Sequence, residues 1–192
     1  LVINEIPGWQ HIGKSKTWRN QHYENVKSMV IEEYNHPCLI SHGVRIDESQ
    51  DDHELYIKSN EIVHTLDNTR PTLGVRNFKN SELLEDIYAY NDFICKDLSK
   101  GLDNPKNIKS LGKPYLVTEY LGHMEPTKAT DSEKQRIYHA KRHALVVNDN
   151  FKNKDCVGAI GWCFVDYYTH VDFGSGDHIC PHGVFDMYRN KK

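Results

Sequence analysis

Apolar residues recur along the chain in two alternating rhythms. Short continuous runs rich in Val, Ile, Leu and Tyr are separated by longer stretches in which apolar residues return every three or four positions. LVINEI (residues 1–6) reads as a strand stopped by Pro7–Gly8. A helix is predicted over 17–34, with Val26, Met29, Val30 and Glu33 or Tyr34 on one face. Asn35–His36–Pro37 ends it, because proline disfavours helix at the preceding residue. Residues 38–46 form the next strand, and Ser49 to Asp52 offer caps for a helix to Leu66 presenting Leu55, Ile62, Val63 and Leu66. TLGVRN (72–77) and LLEDIYAY (83–90) are further strands. Residues 91–112 are polar, with Gly101, Asn104–Pro105 and Gly112, and read as a long loop holding at most a short helix. KPYLVTEY (113–120) is a strand buried on both faces. Thr130 or Asp131 caps a long helix whose predicted core stripe is Ile137, Ala140, Ala144, Val147 and Phe151. VGAIGWCFVDY (157–167) is the last strand, and the tail after Thr169 reads as an irregular loop.

About six strands alternating with helices predict parallel β/α units. At 192 residues the chain supports one sizeable core. It carries 24 Lys and Arg against 27 Asp and Glu, a net charge of −3, which gives no electrostatic ground for nucleic acid or an anionic membrane as partner. No apolar run approaches the roughly 20 residues of a membrane span. The five cysteines are odd in number and unevenly spaced, and read as mostly reduced thiols. GVRN, GLDNPKN and FGSGDH are neither a dinucleotide fingerprint nor a P-loop. No cofactor is expected.

Two acidic residues shape the chemistry. Glu119 closes the buried strand KPYLVTEY, and Glu48 follows the strand LISHGVRID. A carboxylate at a buried strand end is costly unless balanced, so Glu119 alone reads most simply as a salt-bridged strand-end residue. Two glutamates at the carboxyl ends of separate parallel strands instead suggest paired acid chemistry. Arg45 and Arg76, near strand ends, read as charge partners of buried carboxylates in preference to ligand contacts.

NHPCLISHGVRIDES (35–49), TRPTLGVRN (69–77), KPYLVTEY, GWCFVDY (161–167) and DFGSGDHICPHGVFD (172–186) resemble, in order, the catalytic domain of glycoside hydrolase family 2. The resemblance implies a (β/α)8 TIM barrel, here partial, running from the third to the eighth strand. The first two strands and the β-sandwich domains that usually precede them are expected to lie outside this chain. It further implies a retaining exo-β-glycosidase, a β-galactosidase first among its members, with Glu48 as acid/base and Glu119 as nucleophile. The tyrosine that touches the nucleophile matches Tyr88, with Tyr90 as second choice. Because the two alternate along a strand, at least one is expected to point away. Trp162 matches the aromatic platform, and His123 and His182 match sugar-contacting positions. A carbohydrate is the implied partner, unpaired strand edges invite self-association, and bacterial cytoplasm or periplasm is the implied compartment.

Two departures stand out. Asp47 occupies the position of the usual asparagine. An ionised carboxylate only accepts hydrogen bonds where an amide also donates, and a second negative charge tends to raise the pKa of Glu48. Residue 42 is His where relatives often carry Trp, which would alter the cleft floor. Magnesium-bearing members use Glu-x-His after the third strand, where this chain reads Trp9–Gln10–His11, so no metal is carried over. Two rival readings remain. One is a non-catalytic sugar binder. The other is a zinc site at His178-x-Cys180-x-His182, with Asp177 and Cys163 nearby, all three ligands on one face of an extended segment.

Overall fold

The computed structural model describes residues 1–108, 112–122, 127–170, 172 and 176–192. The chain divides into two compact units, Leu1–Asn91 with Pro105–Leu116, and Asp92–Asn104 with Val117–Lys192.

In the first unit, β1 (Val2–Glu5), β2 (Leu39–Gly43), β3 (Thr72–Arg76) and β4 (Ile87–Asp92) lie in chain order as parallel neighbours. The start of β5 (Tyr115–Tyr120) follows β4, Tyr88 donating its N–H to the Pro114 carbonyl. Helices α1 (Lys16–Glu33) and α2 (His53–Leu66) connect the first three strands. Ser15 caps α1 by accepting from the Trp18 N–H, and Asp52 caps α2 by accepting from Leu55. The predicted face of α1 is buried through Val26, Met29 and Val30, which pack with Ile6, Val44, Ile46 and Val63. Tyr34 and Leu66 stay exposed. β4 begins and ends later than predicted, because 81–85 is taken up by an ionic cluster. Among the described residues the loop after it holds one short helix, α3 (Pro105–Ile108), as expected.

In that cluster Arg45, Arg76 and Glu85 at the centre are fully buried, while Asp51 is exposed at its edge. Arg76 pairs with Glu85 at 2.5 Å, and Arg45 pairs with Asp51 at 2.8 Å and Glu85 at 3.3 Å. Burial alone would raise the Glu85 carboxyl, but Arg76 and Arg45 hold it below the usual range. Gly74 makes room, since a Cβ there would stand 2.2 Å from Glu85 Oε1. Arg45 and Arg76 are therefore charge partners, as expected.

In the second unit, the rest of β5 pairs with β6 (Cys156–Ala159), Ile160 donating to the Val117 carbonyl. Helix α4 (Glu133–Lys152) is capped by Ser132, one residue past the predicted cap. Its predicted core stripe is inverted. Ile137 is 46%, Val147 42% and Phe151 83% exposed, while His139, Arg142 and Val146 are buried. The buried face is polar because its groups find partners. Arg142 donates to the Cys95 carbonyl, His139 and His143 meet at 3.1 Å, and His143 lies 3.4 Å from the Tyr120 hydroxyl. The last strand is shorter than predicted. After β6 the chain continues through isolated bridges at Trp162 and Val165. The tail adds an unforeseen two-stranded antiparallel ribbon, β7 (Tyr167–Tyr168) with β8 (Ile179–Cys180). All five cysteines are free thiols. Among the described residues no helix is long and apolar enough to cross a membrane.

Candidate active site

Glu48 lies five residues past the end of β2. Val44 and Ile46 turn into the apolar core and Arg45 into the ionic cluster, so both faces of the segment leading to it are anchored. The segment stays paired with β3, Val44 donating to the Leu73 carbonyl and Glu48 to that of Val75. Glu48 has φ 54°, a left-handed conformation that a non-glycine residue adopts only at a cost.

Its side chain is held by three N–H groups. Asn91 Nδ2 donates to Glu48 Oε1 at 3.1 Å, while Trp9 Nε1 and Gln10 Nε2 donate to Oε2 at 3.1 and 3.2 Å. Asn91 Nδ2 also reaches Asp47 Oδ1 at 3.5 Å. The loop after β1 is joined to this segment by its backbone as well. Trp9 bridges Asp47, and the Gln10 N–H donates to the Asp47 carbonyl at 2.8 Å. Sequence reading found Asp47 and Glu48 but not Asn91, nor the part that Trp9 and Gln10 play. The available signal was positional: in parallel neighbouring strands, residues just past β1 and polar residues closing β4 collect at the same edge as Glu48.

The electrostatic burden falls on Asp47. Burial, then the negative charges of Glu48 and Glu5, push its carboxyl up to about 7, opposed by the Asn91 amide. Burial also raises Glu5. Trp9 and Gln10 present N–H donors where a cation ligand would present oxygen or imidazole nitrogen, and among the described residues no group of three or more His, Cys, Asp or Glu is placed to hold a metal. His42 is fully buried 3.3 Å from Asp67, the C-cap of α2, so its contact is with a helix end.

Tyr88 and Tyr90 share a face, so they do not alternate across the strand as expected. Both rings pack on Tyr115, at centroid distances of 6.2 and 6.5 Å. Side chains two apart along a strand lie on the same side. Tyr88 also lies under the Arg76 guanidinium at 4.5 Å.

In the second unit, Glu119 is the penultimate residue of β5 and is half-buried. Beyond it, Leu121 (φ 68°) and Gly122 (φ 44°) turn left-handed, and Leu121 bridges Trp162. Trp162 is partly exposed, meets the Tyr167 ring edge-on at 6.0 Å, and precedes Cys163 across a cis peptide bond. Burial, with Cys180, Asp166 and Glu119 nearby, pushes the Cys163 thiol up to about 12. His182 is buried next to this strand end: its carbonyl accepts from the Cys163 N–H, and its Nδ1 lies 3.0 Å from Cys180 Sγ. His178 has φ 52°, so 178–182 is not the extended segment that a zinc site at these three residues required. His123 lies outside the described residues.

A family model described as glycosyl hydrolases family 2, TIM barrel domain, matches residues 2–190. A β-galactosidase of Thermoanaerobacterium thermosulfurigenes is 49% identical over 194 residues, covering all of this chain and 27% of that protein. One from Thermoanaerobacter pseudethanolicus is 50% identical over 192 residues, covering all of this chain and 25% of its own length. The chain thus spans about a quarter of the length of these relatives. Among solved structures, a β-glucuronidase from an uncultured Clostridium sp. superposes with a TM-score of 0.82 at 21% identity, covering 100% of this chain and 38% of that one. A β-galacturonidase from Eisenbergiella tayi, bound to galacturonate, gives 0.76 at 21% identity over 92% of this chain and 35% of its own. The six sheet strands and their helices are accordingly part of a TIM barrel, and the chain belongs to glycosyl hydrolase family 2.

Proposed function

We propose that the chain contributes the catalytic carboxyls of a retaining exo-β-glycosidase acting on terminal β-linked sugars, a β-galactoside first among them. The observation that carries this reading is Glu48, held in a left-handed conformation past a strand end by three N–H donors, in a chain about half identical to two β-galactosidases. Such strain persists where the surrounding structure over-determines it, and it clusters at active sites.

In this mechanism Glu119 attacks the anomeric carbon while Glu48 gives its proton to the departing glycosidic oxygen, leaving a glycosyl-enzyme ester. Glu48 then takes a proton from water, which attacks the same carbon and releases Glu119. Two displacements return the original configuration, and they require the carboxyl groups about 5–5.5 Å apart. Trp162 supplies a flat apolar face for the sugar's C–H side. Asp47, His123 and His182 contact its hydroxyls. A tyrosine of β4 holds Glu119 ionised, and we assign this to Tyr90 ahead of Tyr88. Tyr90 lies nearer the carboxyl end of the strand and directly precedes Asn91, whereas Tyr88 is engaged by Arg76.

The test is hydrolysis of p-nitrophenyl β-D-glycosides by the protein that carries this chain, followed by NMR of the first-formed anomer. Turnover with a β product, abolished in Glu119→Gln, is expected. Sugar binding without Glu119-dependent turnover would make the protein a binder and overturn the reading.

A further inference from the structure

Trp9 and Gln10 approach Glu48 in a way that backbone pairing alone does not require. Gln10 has φ 60°, and the His11 N–H donates back to the Trp9 carbonyl at 2.7 Å, so Gln10 is the centre of a tight three-residue turn. Turns with a left-handed centre are rare and strained. Glycine would relieve that strain at residue 10, yet the chain places there a side chain whose amide reaches Glu48 Oε2 at 3.2 Å. Trp9 is 59% exposed, so the indole is not placed there to bury its ring, and its Nε1 donates to the same oxygen at 3.1 Å. Two left-handed non-glycine residues, Gln10 and Glu48, thus face each other across this contact.

The consequence concerns which oxygen of Glu48 carries the proton. A carboxylate oxygen has two lone pairs, and indole N–H is a donor only. With Trp9 and Gln10 both donating to Oε2, its lone pairs are engaged. Among the described residues Oε1 accepts from Asn91 alone and keeps a position for a proton. We propose that Trp9 and Gln10 are positioning residues for Glu48, fixing Oε2 as acceptor so that Oε1 bears the proton delivered to the leaving group. The proposal rests on the reading of Glu48 as acid/base and adds the device that orients it.

Proton donation matters only when the leaving group needs it, and this gives a readout that a structural role would not move. In the protein that carries this chain, kcat/KM is measured on 2,4-dinitrophenyl and methyl β-galactosides for wild type, Gln10→Met, Gln10→Glu, Trp9→Phe and Glu48→Ala. Met keeps the volume of Gln without the N–H. Gln10→Met and Trp9→Phe should lose on the order of tenfold or more on the methyl glycoside and less than about threefold on the dinitrophenyl one. Gln10→Glu, which sets a like charge against Glu48, should lose more than Gln10→Met. Equal losses on both substrates, or none, would overturn the positioning role. If Glu48→Ala itself lost equally on both substrates, the acid/base reading would fall, and this proposal with it. A leaving-group-dependent loss in Glu48→Ala but not in the Trp9 and Gln10 variants would overturn the proposal alone.

Discussion

Asp47→Asn should stabilise the protein, and by an amount that depends on pH. Asp47 has an ordinary pKa of 3.8 and is pushed up to about 7 by burial and by the carboxylates of Glu48 and Glu5. Between these values the folded chain holds a proton that the unfolded chain has released. Stability therefore falls as pH rises through this window, and the full penalty is present above about pH 7. At about 1.4 kcal/mol per unit the displacement corresponds to roughly 4 kcal/mol, an upper bound that partial solvent contact reduces to about 1–2 kcal/mol. Asparagine carries no charge to desolvate and keeps the shape. Urea unfolding of both proteins, followed by tryptophan fluorescence, should give Asp47→Asn a gain of about 1–2 kcal/mol near pH 8, shrinking toward zero near pH 4. Acid effects elsewhere are common to both proteins and cancel in the difference. An equal gain at both pH values, or a loss near pH 8, would refute the charge argument. The same substitution restores an amide donor, so kcat/KM near pH 8 should rise with it.

Removing the shared carboxylate of the buried cluster, as Glu85→Leu, leaves Arg45 and Arg76 without their common partner and should destabilise by about 3–5 kcal/mol in urea unfolding. A loss below about 1 kcal/mol would show that the pairs are not coupled through Glu85. His139 is held down to about 4 by burial and then by His143, Lys192 and Arg142. Below its ordinary value of 6.5 the unfolded chain takes up a proton that the folded chain refuses, so stability is lost as pH falls from about 6.5 toward 4. Wild type should lose about 1 kcal/mol between pH 6.5 and 5 from this group once partial solvent contact is allowed for, and His139→Gln correspondingly less. Equal losses in the two proteins would contradict it.

The helices and strands of the first unit were legible because apolar identity and burial coincide there. Val26, Met29 and Val30 meet Val44 and Ile46 at the spacing that the sequence displays. Helix α4 broke that link. His139, Arg142 and His143 are on its inward face because particular partners await them, and partners are tertiary facts that a periodic pattern does not encode. The same distinction runs through the site. Glu48 and Glu119 could be singled out as candidates because a carboxylate closing a buried strand is conspicuous in sequence. Asn91 and the donor roles of Trp9 and Gln10 could not, since each becomes visible only when neighbouring strand ends are brought side by side. The face shared by Tyr88 and Tyr90 was readable from the period of a strand alone, and the structure restores that rule.

The proposed mechanism requires Glu119 to form a covalent bond to the sugar. Incubating the protein with 2,4-dinitrophenyl 2-deoxy-2-fluoro-β-D-galactoside, which slows release of the intermediate, followed by proteolysis and mass spectrometry, should find one fluorosugar on the peptide containing KPYLVTEY, attached at Glu119. Turnover with no labelled peptide, or a label on any other residue, would contradict the account.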